Sequence, residues 1–310
     1  MNKNDLCFIR PKGKKDYWHF AIAKLGYDII IPYYDINIIF RLLRELWFKL
    51  KLPYESIWFN KTIISNRAKI YIIKDPLITV NFIKWIKKIK PNSRIILDFD
   101  NRVGMSINPN DIKDYSIELW SYDFDDCHKY AMNQKPIGYF DIYKVEKFQE
   151  PIYDILFVGR DKNRLKELIK LKTLFQNMEL KTKFHITPNR SYMICKNVHY
   201  KHAISYRKYM DLISKSRAIL NIMPVHQKSI TQRELEAVFN NKKCITNNKS
   251  IISFELYHPN RYFIIGVDDF SNLISFLKAP YPHVSTEKLS KYSIDKVIDF
   301  MVNKTLELKS

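Results

Sequence analysis

Short apolar runs alternate with segments of helical periodicity along the chain. Several of these runs are apolar throughout, which is typical of parallel strands that helices cover on both faces. In the first half, strands are predicted at 5–10, 28–32, 68–73, 94–99 and 116–120, and helices at about 36–50, 79–90 and 124–133. This alternation predicts an α/β fold built on a parallel sheet.

The alternation is interrupted once, at 144–154, where charged residues and Pro151 break the pattern. Two successive arrays of this kind predict two doubly wound domains, 1–148 and 149–310, with a cleft between them. The length of 310 residues fits two domains of ~150 residues each. In the second array, strands are predicted at 154–159, 182–187, 217–223 and 261–266, helices at 164–178 and 205–216, and a last helical segment, able to pack back on the first domain, at about 285–308.

The chain is strongly basic, with 52 Lys and Arg against 32 Asp and Glu and a net charge of +20. Such a surface attracts polyanions, which include nucleic acid, anionic lipid and phosphorylated substrates. Glycine is scarce, because the chain has 6 where average usage would give roughly 20. The glycine-rich phosphate loops G-x-G-x-x-G and Walker A are both absent from the sequence.

The cysteines and the termini indicate where the protein works. Cys7, Cys127, Cys195 and Cys244 are widely spaced and form no metal-binding pattern, which favours a reducing compartment. The first residues lack the apolar core of a signal peptide, and no run of ~18 apolar residues occurs. We therefore expect a cytoplasmic protein.

Three strand-to-helix loops of the second half are the expected binding site. Ligands of open parallel sheets bind at the carboxyl ends of the strands, so these loops should open on one edge. Arginine and lysine there can hold a diphosphate, a helix start offers free N–H groups, and a carboxylate can accept hydrogen bonds from ribose hydroxyls. The candidate residues are Gly159, Arg160, Lys162, Arg164, His185, Gln227, Thr231, Arg233 and Glu236.

Structural alternatives exist for several of these residues. Thr231 and Glu234 form the T-x-x-E pattern of a helix capping box. Glu236 lies ~100° around the helix from a core leucine, where it is either ligand-facing or simply solvated. The loop 159–164 is alternatively a polar helix entry capped by Asp161 or Asn163.

Several blocks resemble the C-terminal half of bacterial GT-B-fold glycosyltransferases of capsule, O-antigen and exopolysaccharide synthesis. These blocks are YDILFVGRDKNR (153–164), ISYRKYMDLISKSRAILNI (204–222) and HQKSITQRELEAVFNNKKCITNN (226–248). A further segment, 117–132, looks like the one that precedes the interdomain boundary in the same enzymes. The resemblance covers about 117–266.

The resemblance implies two Rossmann-like domains that face each other across a cleft, with a nucleotide-sugar donor on the C-terminal domain and the acceptor on the N-terminal one. The family places a glutamate before an alanine on the donor ribose, and Glu236 matches it. Gln227, Thr231 and Arg233 match the upstream pattern Q-x-G-L-T-x-R, but Ser229 replaces the glycine. The Cβ of Ser229 leaves less space for the backbone to approach the sugar or phosphate of the donor.

Two D-x-D patterns, Asp98–Asp100 and Asp123–Asp125, match a motif that holds a divalent metal in the other glycosyltransferase fold. A three-residue pattern is weak. The resemblance implies that cations and helix ends replace the metal, so we expect no metal and no cofactor.

An inverting glycosyltransferase needs a general base near the acceptor hydroxyl, whereas a retaining one does not. By analogy of fold, the base should lie on the first domain. Asp16 and His19, expected in the loop after the first strand, are the candidate catalytic residues, and Asp100 is another. The stereochemistry is left open.

Basic residues accompany aromatic and aliphatic ones at 38–52 and again at 82–90. In the first segment Phe40, Leu43, Trp47 and Leu50 lie along one side of a predicted helix. This composition suits a bilayer interface, although a core-facing helix with a solvated basic back is the alternative.

The sequence thus predicts a metal-independent glycosyltransferase, of the hexosyltransferase kind, in bacterial surface polysaccharide synthesis. It would move a sugar from a nucleotide sugar to a lipid-linked glycan, as a peripheral protein on the inner face of the cell membrane. Alternatives are a basic nucleic-acid-binding protein, which 20 Tyr and 19 Phe permit, or a non-catalytic sugar-nucleotide-binding homologue. No recognised nucleic-acid-binding motif occurs.

Overall fold

A computed structural model describes residues 2–12, 17–100, 103, 107–145, 150–224 and 229–307. The chain divides into two compact units, Met1–Lys135 and Pro136–Ser310, whereas the sequence pattern set the division after residue 148. The binding roles of the two predicted domains stay predictions.

Unit 1 is a six-stranded parallel sheet with helices. Its strands are β1 Leu6–Ile9, β2 Asp28–Ile30, β3 Ile70–Lys74, β4 Arg94–Phe99, β5 Glu118–Ser121 and β6 Asn133–Gln134. Their order is β2-β1-β3-β4-β5-β6. Its helices are α1 Tyr17–Lys24, α2 Ile38–Lys49, α3 Thr62–Ser65, α4 Val80–Ile89 and α5 Phe124–Tyr130.

The helix starts of unit 1 follow from the sequence. Asn37, Thr79 and Asp123 each stand just before a helix and accept a hydrogen bond from a first-turn backbone N–H. Such caps satisfy N–H groups that have no partner inside the helix.

Unit 2 is a five-stranded parallel sheet in the order β11-β10-β9-β7-β8. Its strands are β7 Tyr153–Arg160, β8 Thr182–Thr187, β9 Ser216–Asn221, β10 Lys243–Thr246 and β11 Tyr262–Ile264. Its helices are α6 Leu165–Asn177, α7 Tyr206–Ser214, α8 Gln232–Phe239, α9 Leu273–Lys278, α10 Thr286–Ser290 and α11 Ile294–Glu307.

Both faces of the unit 2 sheet are buried. Leu156 packs into one hydrophobic cluster, and its neighbours Ile155 and Phe157 pack into another. Successive side chains of a strand point to opposite faces, so helices must cover both faces of this sheet. The predicted fold class, two α/β units with parallel sheets, is confirmed.

The segment after Lys135 is held within unit 2. The Tyr139 backbone N–H donates to the Tyr292 carbonyl at 2.7 Å, and the Ile294 N–H donates to the Tyr139 carbonyl at 2.8 Å. The Asn240 side chain donates to the Tyr139 hydroxyl and accepts from the Val145 N–H. These contacts explain why the division falls before Pro136. The predicted packing of the last helix on the first domain stays a prediction.

Helix α2 differs from the core-facing alternative. Its buried residue is Arg44, whose guanidinium lies 5.0 Å from the Tyr33 ring centroid and donates to the Tyr34 carbonyl at 3.2 Å. Phe48 is half-buried and packs against the core of unit 1. Six other apolar side chains are instead exposed by 44–71%, at Ile38, Ile39, Phe40, Leu42, Leu43 and Leu46. The interpretation of α2 as a core helix with a basic outer face is therefore wrong for most of its apolar side chains.

Candidate functional site

Three parallel strands of unit 2 end side by side. β9, β7 and β8 are neighbours and end at Asn221, Arg160 and Thr187. The loops that follow them therefore lie at one edge of the sheet, as the sequence predicts. β8 and β9 lie on opposite sides of β7 in the sheet. The chain therefore adds β8 on one side of β7 and later adds β9 on the other side. Ligands of doubly wound sheets bind at such a switch point.

The loop after β7 is a fixed turn. Lys162 and Asn163 have left-handed backbones, with φ of 48° and 65°. Asn189, beyond the end of β8, accepts from the Lys162 N–H at 2.8 Å and donates to the Asn163 side chain at 3.0 Å. Asp161 accepts from the Arg164 N–H at 2.9 Å and from the Tyr200 hydroxyl at 2.8 Å. The two neighbouring loops are thus joined, with Asp161 closing the turn before α6.

Arg233 ties the first turn of α8 to the end of β7. Its Nη2 and Nε donate to the Val158 carbonyl at 2.9 and 3.2 Å, and its guanidinium carbon lies 5.5 Å from the Phe157 ring centroid. A Cβ added to Gly159 would lie 2.2 Å from Arg233 Nη2. Glycine at 159 therefore leaves the space that the guanidinium occupies.

Four cations gather around this turn. The Arg164 guanidinium also lies over the Phe157 ring, at 5.6 Å, and donates to the Asp161 and Arg160 carbonyls, both at 3.1 Å. Burial and then the nearby Arg233 lower the pKa of Arg164 to about 10. Desolvation lowers the pKa of Lys162 as well, and the charges of Arg233, Arg164 and Arg160 add to that shift. Like charges held together in this way favour a bound anion.

The start of α8 carries the predicted capping box. The Thr231 N–H donates to Glu234 Oε2 at 2.7 Å, so the structural interpretation of Thr231 and Glu234 is confirmed. Glu234 is fully buried, and its other oxygen accepts from Thr246 and Asn248, each at 3.2 Å. Asn221 donates to the Thr231 hydroxyl at 3.0 Å. Both carboxylate oxygens of Glu234 thus accept hydrogen bonds from other residues of unit 2.

Glu236 is buried, with an exposed fraction of 3%. Its Oε2 accepts from the Tyr209 hydroxyl at 2.6 Å and its Oε1 from the Tyr206 hydroxyl at 3.0 Å. Burial raises the pKa of Glu236, and the Tyr209 bond, the Arg233 charge and the Tyr206 bond oppose that rise. The alternative of a plain solvated glutamate is therefore wrong.

His185 and Gln227 are the remaining candidate site residues of unit 2. His185 donates from Nε2 to the His202 carbonyl at 2.8 Å, and burial lowers the pKa of its imidazole. Its position on β8 places it opposite Val158 in the sheet register. Gln227 lies outside the described residues.

Unit 1 carries a neutralised cluster at the corresponding edge of its sheet. Lys74, which ends β3, contacts Asp98 at 2.6 Å and Asp100 at 2.8 Å, and Lys135 contacts Asp98 at 3.0 Å. Burial opposes ionisation of Asp98, but Lys135 and Lys74 hold its pKa below the ordinary value. In this structure the first D-x-D pair is engaged by lysine side chains.

The second D-x-D pair belongs to a helix start. Asp123 precedes α5 and accepts from the Asp126 N–H at 3.1 Å. Among the described residues, no group of three or more His, Cys, Asp or Glu side chains is placed to hold a metal ion.

His19 lies in the first turn of α1, so the prediction of a loop at this position is wrong. The segment KGKKDYWHF resembles a loop because its first residues are Lys and Gly, and the helix has only eight residues. The His19 Nδ1 lies 3.4 Å from Arg10 Nη1. A guanidinium only donates, so Nδ1 accepts and the ring proton is on Nε2. Asp16 lies outside the described residues.

Sequence reasoning missed several residues of both strand edges. Lys74 ends an otherwise apolar strand, and a charge in that position is a usable signal of a buried ion pair. Tyr206 and Tyr209 are three residues apart on α7, which places them on one helix face. Only the tertiary structure shows that this face meets Glu236.

Comparison with known proteins supports the fold. No protein-family model and no curated protein sequence matches this chain. The structure is similar to AviGT4, a glycosyltransferase involved in avilamycin A biosynthesis, with a TM-score of 0.57 and 9% identity over 98% of this chain and 97% of that one. It is also similar to sucrose-phosphate synthase from Thermosynechococcus elongatus, with a TM-score of 0.59 and 10% identity over 98% and 99%. The chain has their two-domain α/β fold, and the expected GT-B architecture is confirmed.

Replacing Gly159 by alanine should displace Arg233, because the new Cβ cannot coexist with its Nη2. We expect Gly159→Ala to lower the free energy of unfolding by about 1–2 kcal/mol, through lost hydrogen bonds and ring contact. Urea unfolding of the two single variants and the double variant with Arg233→Ala measures this coupling.

In the Arg233→Ala background, Gly159→Ala should cost little further stability, since the clash has gone. Equal losses in both backgrounds would show that Arg233 is not the reason for glycine at 159.

Proposed function

We propose that this protein is a metal-independent glycosyltransferase whose nucleotide-sugar donor binds at the strand edge of unit 2. The observation that supports this most is the cation cluster Arg160, Lys162, Arg164 and Arg233 beside the start of α8. Desolvation lowers the pKa of Lys162 and of Arg164, and the like charges of the cluster lower both further. A diphosphate would relieve that repulsion. The likeness to AviGT4 supports a transfer reaction on this fold.

The roles within the cluster follow from exposure. Arg160 and Lys162 are exposed and can contact a diphosphate directly, while Arg164 is buried and Arg233 is half-buried. The start of α8 adds a partial positive charge. In this proposal Glu236 accepts from the donor ribose.

In the reaction, the acceptor hydroxyl oxygen forms a bond to the anomeric carbon of the sugar. The bond from that carbon to the diphosphate breaks, and the nucleoside diphosphate leaves with the electron pair. Positive charge fixed beside the diphosphate stabilises the developing negative charge without a metal. If the reaction inverts, the hydroxyl proton passes to a base, for which Asp16, His19 and Asp100 remain the candidates on unit 1.

Of the two described candidates, His19 and Asp100, the geometry favours Asp100. A His19 that accepts at Nδ1 from Arg10 presents a proton rather than a lone pair at Nε2. Asp100 contacts Lys74 at 2.8 Å and Arg10 at 3.9 Å, and it accepts protons when ionised. The acceptor in this proposal is a lipid-linked glycan of bacterial surface polysaccharide synthesis, and the transferred sugar is a hexose.

The donor site is tested by calorimetry and thermal shift with UDP, GDP, CDP and CMP, with and without EDTA. We expect micromolar binding of one nucleoside diphosphate that EDTA does not change. Lys162→Met should weaken it about fivefold or more, since a charge-assisted bond is lost. Lys170→Met, an exposed lysine on α6, is the matched control and should have no effect.

The pH dependence has a definite sign. A lysine with a lowered pKa is charged below that pKa and loses its proton above it. Affinity should therefore fall as the pH rises through the lowered pKa of Lys162, and Lys162→Met should reduce this fall.

Loss of binding in EDTA would contradict metal independence. If none of the four nucleotides binds, the proposed donor site is contradicted. Salt-dependent binding of single-stranded or duplex nucleic acid would then support the competing assignment. Donor binding without sugar transfer to any acceptor would support a non-catalytic homologue.

We further propose that unit 1 docks on the anionic inner surface of the cell membrane through α2. The exposed apolar side chains of α2 stand beside the basic residues Arg41, Lys49 and Lys51. Apolar groups can enter the interface while lysine and arginine contact anionic headgroups. Within the described part of the chain, no helix has both the length and the apolar character of a membrane span.

Flotation with anionic and neutral vesicles tests this docking. We expect binding to anionic vesicles and its loss in Ile39→Glu/Leu43→Glu, because charge on the apolar face prevents insertion. Ile252→Glu, at an exposed isoleucine of unit 2, is the control and should still float. Equal binding to neutral and anionic vesicles, or flotation of the α2 variant, would contradict the proposal.

A further inference from the structure

Glu236 is closed off from ligands in this structure. It is 3% exposed, and each carboxylate oxygen accepts a hydrogen bond from a tyrosine hydroxyl. If Glu236 accepts from a donor ribose, as the proposed function requires, a group that now covers it must move. Two tyrosines are candidates, and their surroundings differ.

Tyr209 is built into the core. Its side chain is buried in the same hydrophobic cluster as Leu156 and Ile219, and its hydroxyl bond to Glu236 Oε2 is the shorter one, at 2.6 Å. Moving this ring would open a cavity beneath α7, which is costly in a close-packed core. Tyr209 is therefore a fixed partner of Glu236.

Tyr206 is less buried than Tyr209. It is the first residue of α7 and is half-buried, and its bond to Glu236 Oε1 is 3.0 Å long. Backbone N–H groups in a first helical turn have no partner inside the helix, so rearrangement there disrupts few bonds. Its ring meets Tyr143 at 4.8 Å and Tyr209 at 5.8 Å, both edge to face.

We infer that Tyr206 is the displaceable partner of Glu236: its hydroxyl takes the place at Oε1 that a donor ribose hydroxyl occupies in the complex, while Tyr209 keeps the carboxylate in position. This inference rests on the proposed donor site. In the exchange one O–H donor replaces another, so the buried carboxylate is never left without a hydrogen bond. The raised pKa of Glu236, caused by burial, makes such continuous bonding important.

The exchange makes Tyr206 a determinant of affinity. The donor binds only the form in which Tyr206 has released Oε1, so its apparent affinity is reduced by the fraction of molecules in that form. Removing the Tyr206 hydroxyl should therefore tighten donor binding. The gain should depend on the ribose hydroxyls, because only they compete with Tyr206 for Oε1.

The test is calorimetric binding of the nucleoside diphosphate that the wild type prefers, beside its 2′,3′-dideoxy counterpart, to the wild type, Tyr206→Phe and Tyr209→Phe. Phenylalanine keeps each ring and its packing, and thermal melts check that the variants fold. We expect Tyr206→Phe to tighten binding of the preferred ribonucleotide about fivefold, the equivalent of one hydrogen bond, and to leave the dideoxy analogue unchanged. Tyr209→Phe should weaken ribonucleotide binding, since Glu236 is then less well positioned.

Weaker or unchanged ribonucleotide binding by Tyr206→Phe would overturn the inference, and so would an equal gain for the dideoxy analogue. In each of these cases the wild type still binds the nucleotide, so the proposed function survives. Failure of the wild type to bind any of UDP, GDP, CDP and CMP would overturn the proposed function, and the inference would fall with it.

Discussion

The Arg233 guanidinium joins the two elements on which the candidate site of unit 2 depends. Its bonds to the Val158 carbonyl and its position over the Phe157 ring fix the first turn of α8 against the end of β7. The contact requires glycine at 159, and it brings the half-buried charge of Arg233 close to Arg164 and Lys162. One packing interaction thus sets the shape of the loop, the position of the helix start and the local excess of positive charge.

The two strand edges differ in how their charges are balanced. In unit 1 the cations Lys74 and Lys135 meet the carboxylates Asp98 and Asp100 in direct ion pairs. In unit 2 the charges of Arg233, Arg164 and Arg160 act together on Lys162, and the nearby carboxylates Asp161 and Glu236 accept from tyrosine hydroxyls. Cations in direct ion pairs stabilise the geometry of their own cluster, whereas like charges held together attract an external anion. This contrast is the physical basis for proposing that the diphosphate binds in unit 2.

Much of this arrangement is readable from the sequence, because local patterns encode it. The strands at 94–99 and 182–187 have the predicted bounds, and T-x-x-E at Thr231 forms the capping box. Tertiary contacts decided the rest. Bonds from Asn240 to residues 139 and 145 set the unit boundary earlier than the break around Pro151 suggested. Arg44 turned inward on α2, which no periodicity argument revealed, and the partners of Glu236 come from another helix.

In the proposed function, the cations around the β7 turn hold the diphosphate of a nucleotide sugar. Hydrogen–deuterium exchange with and without saturating pyrophosphate tests this binding without knowledge of the base or the sugar. We expect protection in the segment 158–164 and in the first turn of α8, with little change around Lys74 in unit 1. Protection confined to the unit 1 cluster, or none at the β7 turn, would contradict it.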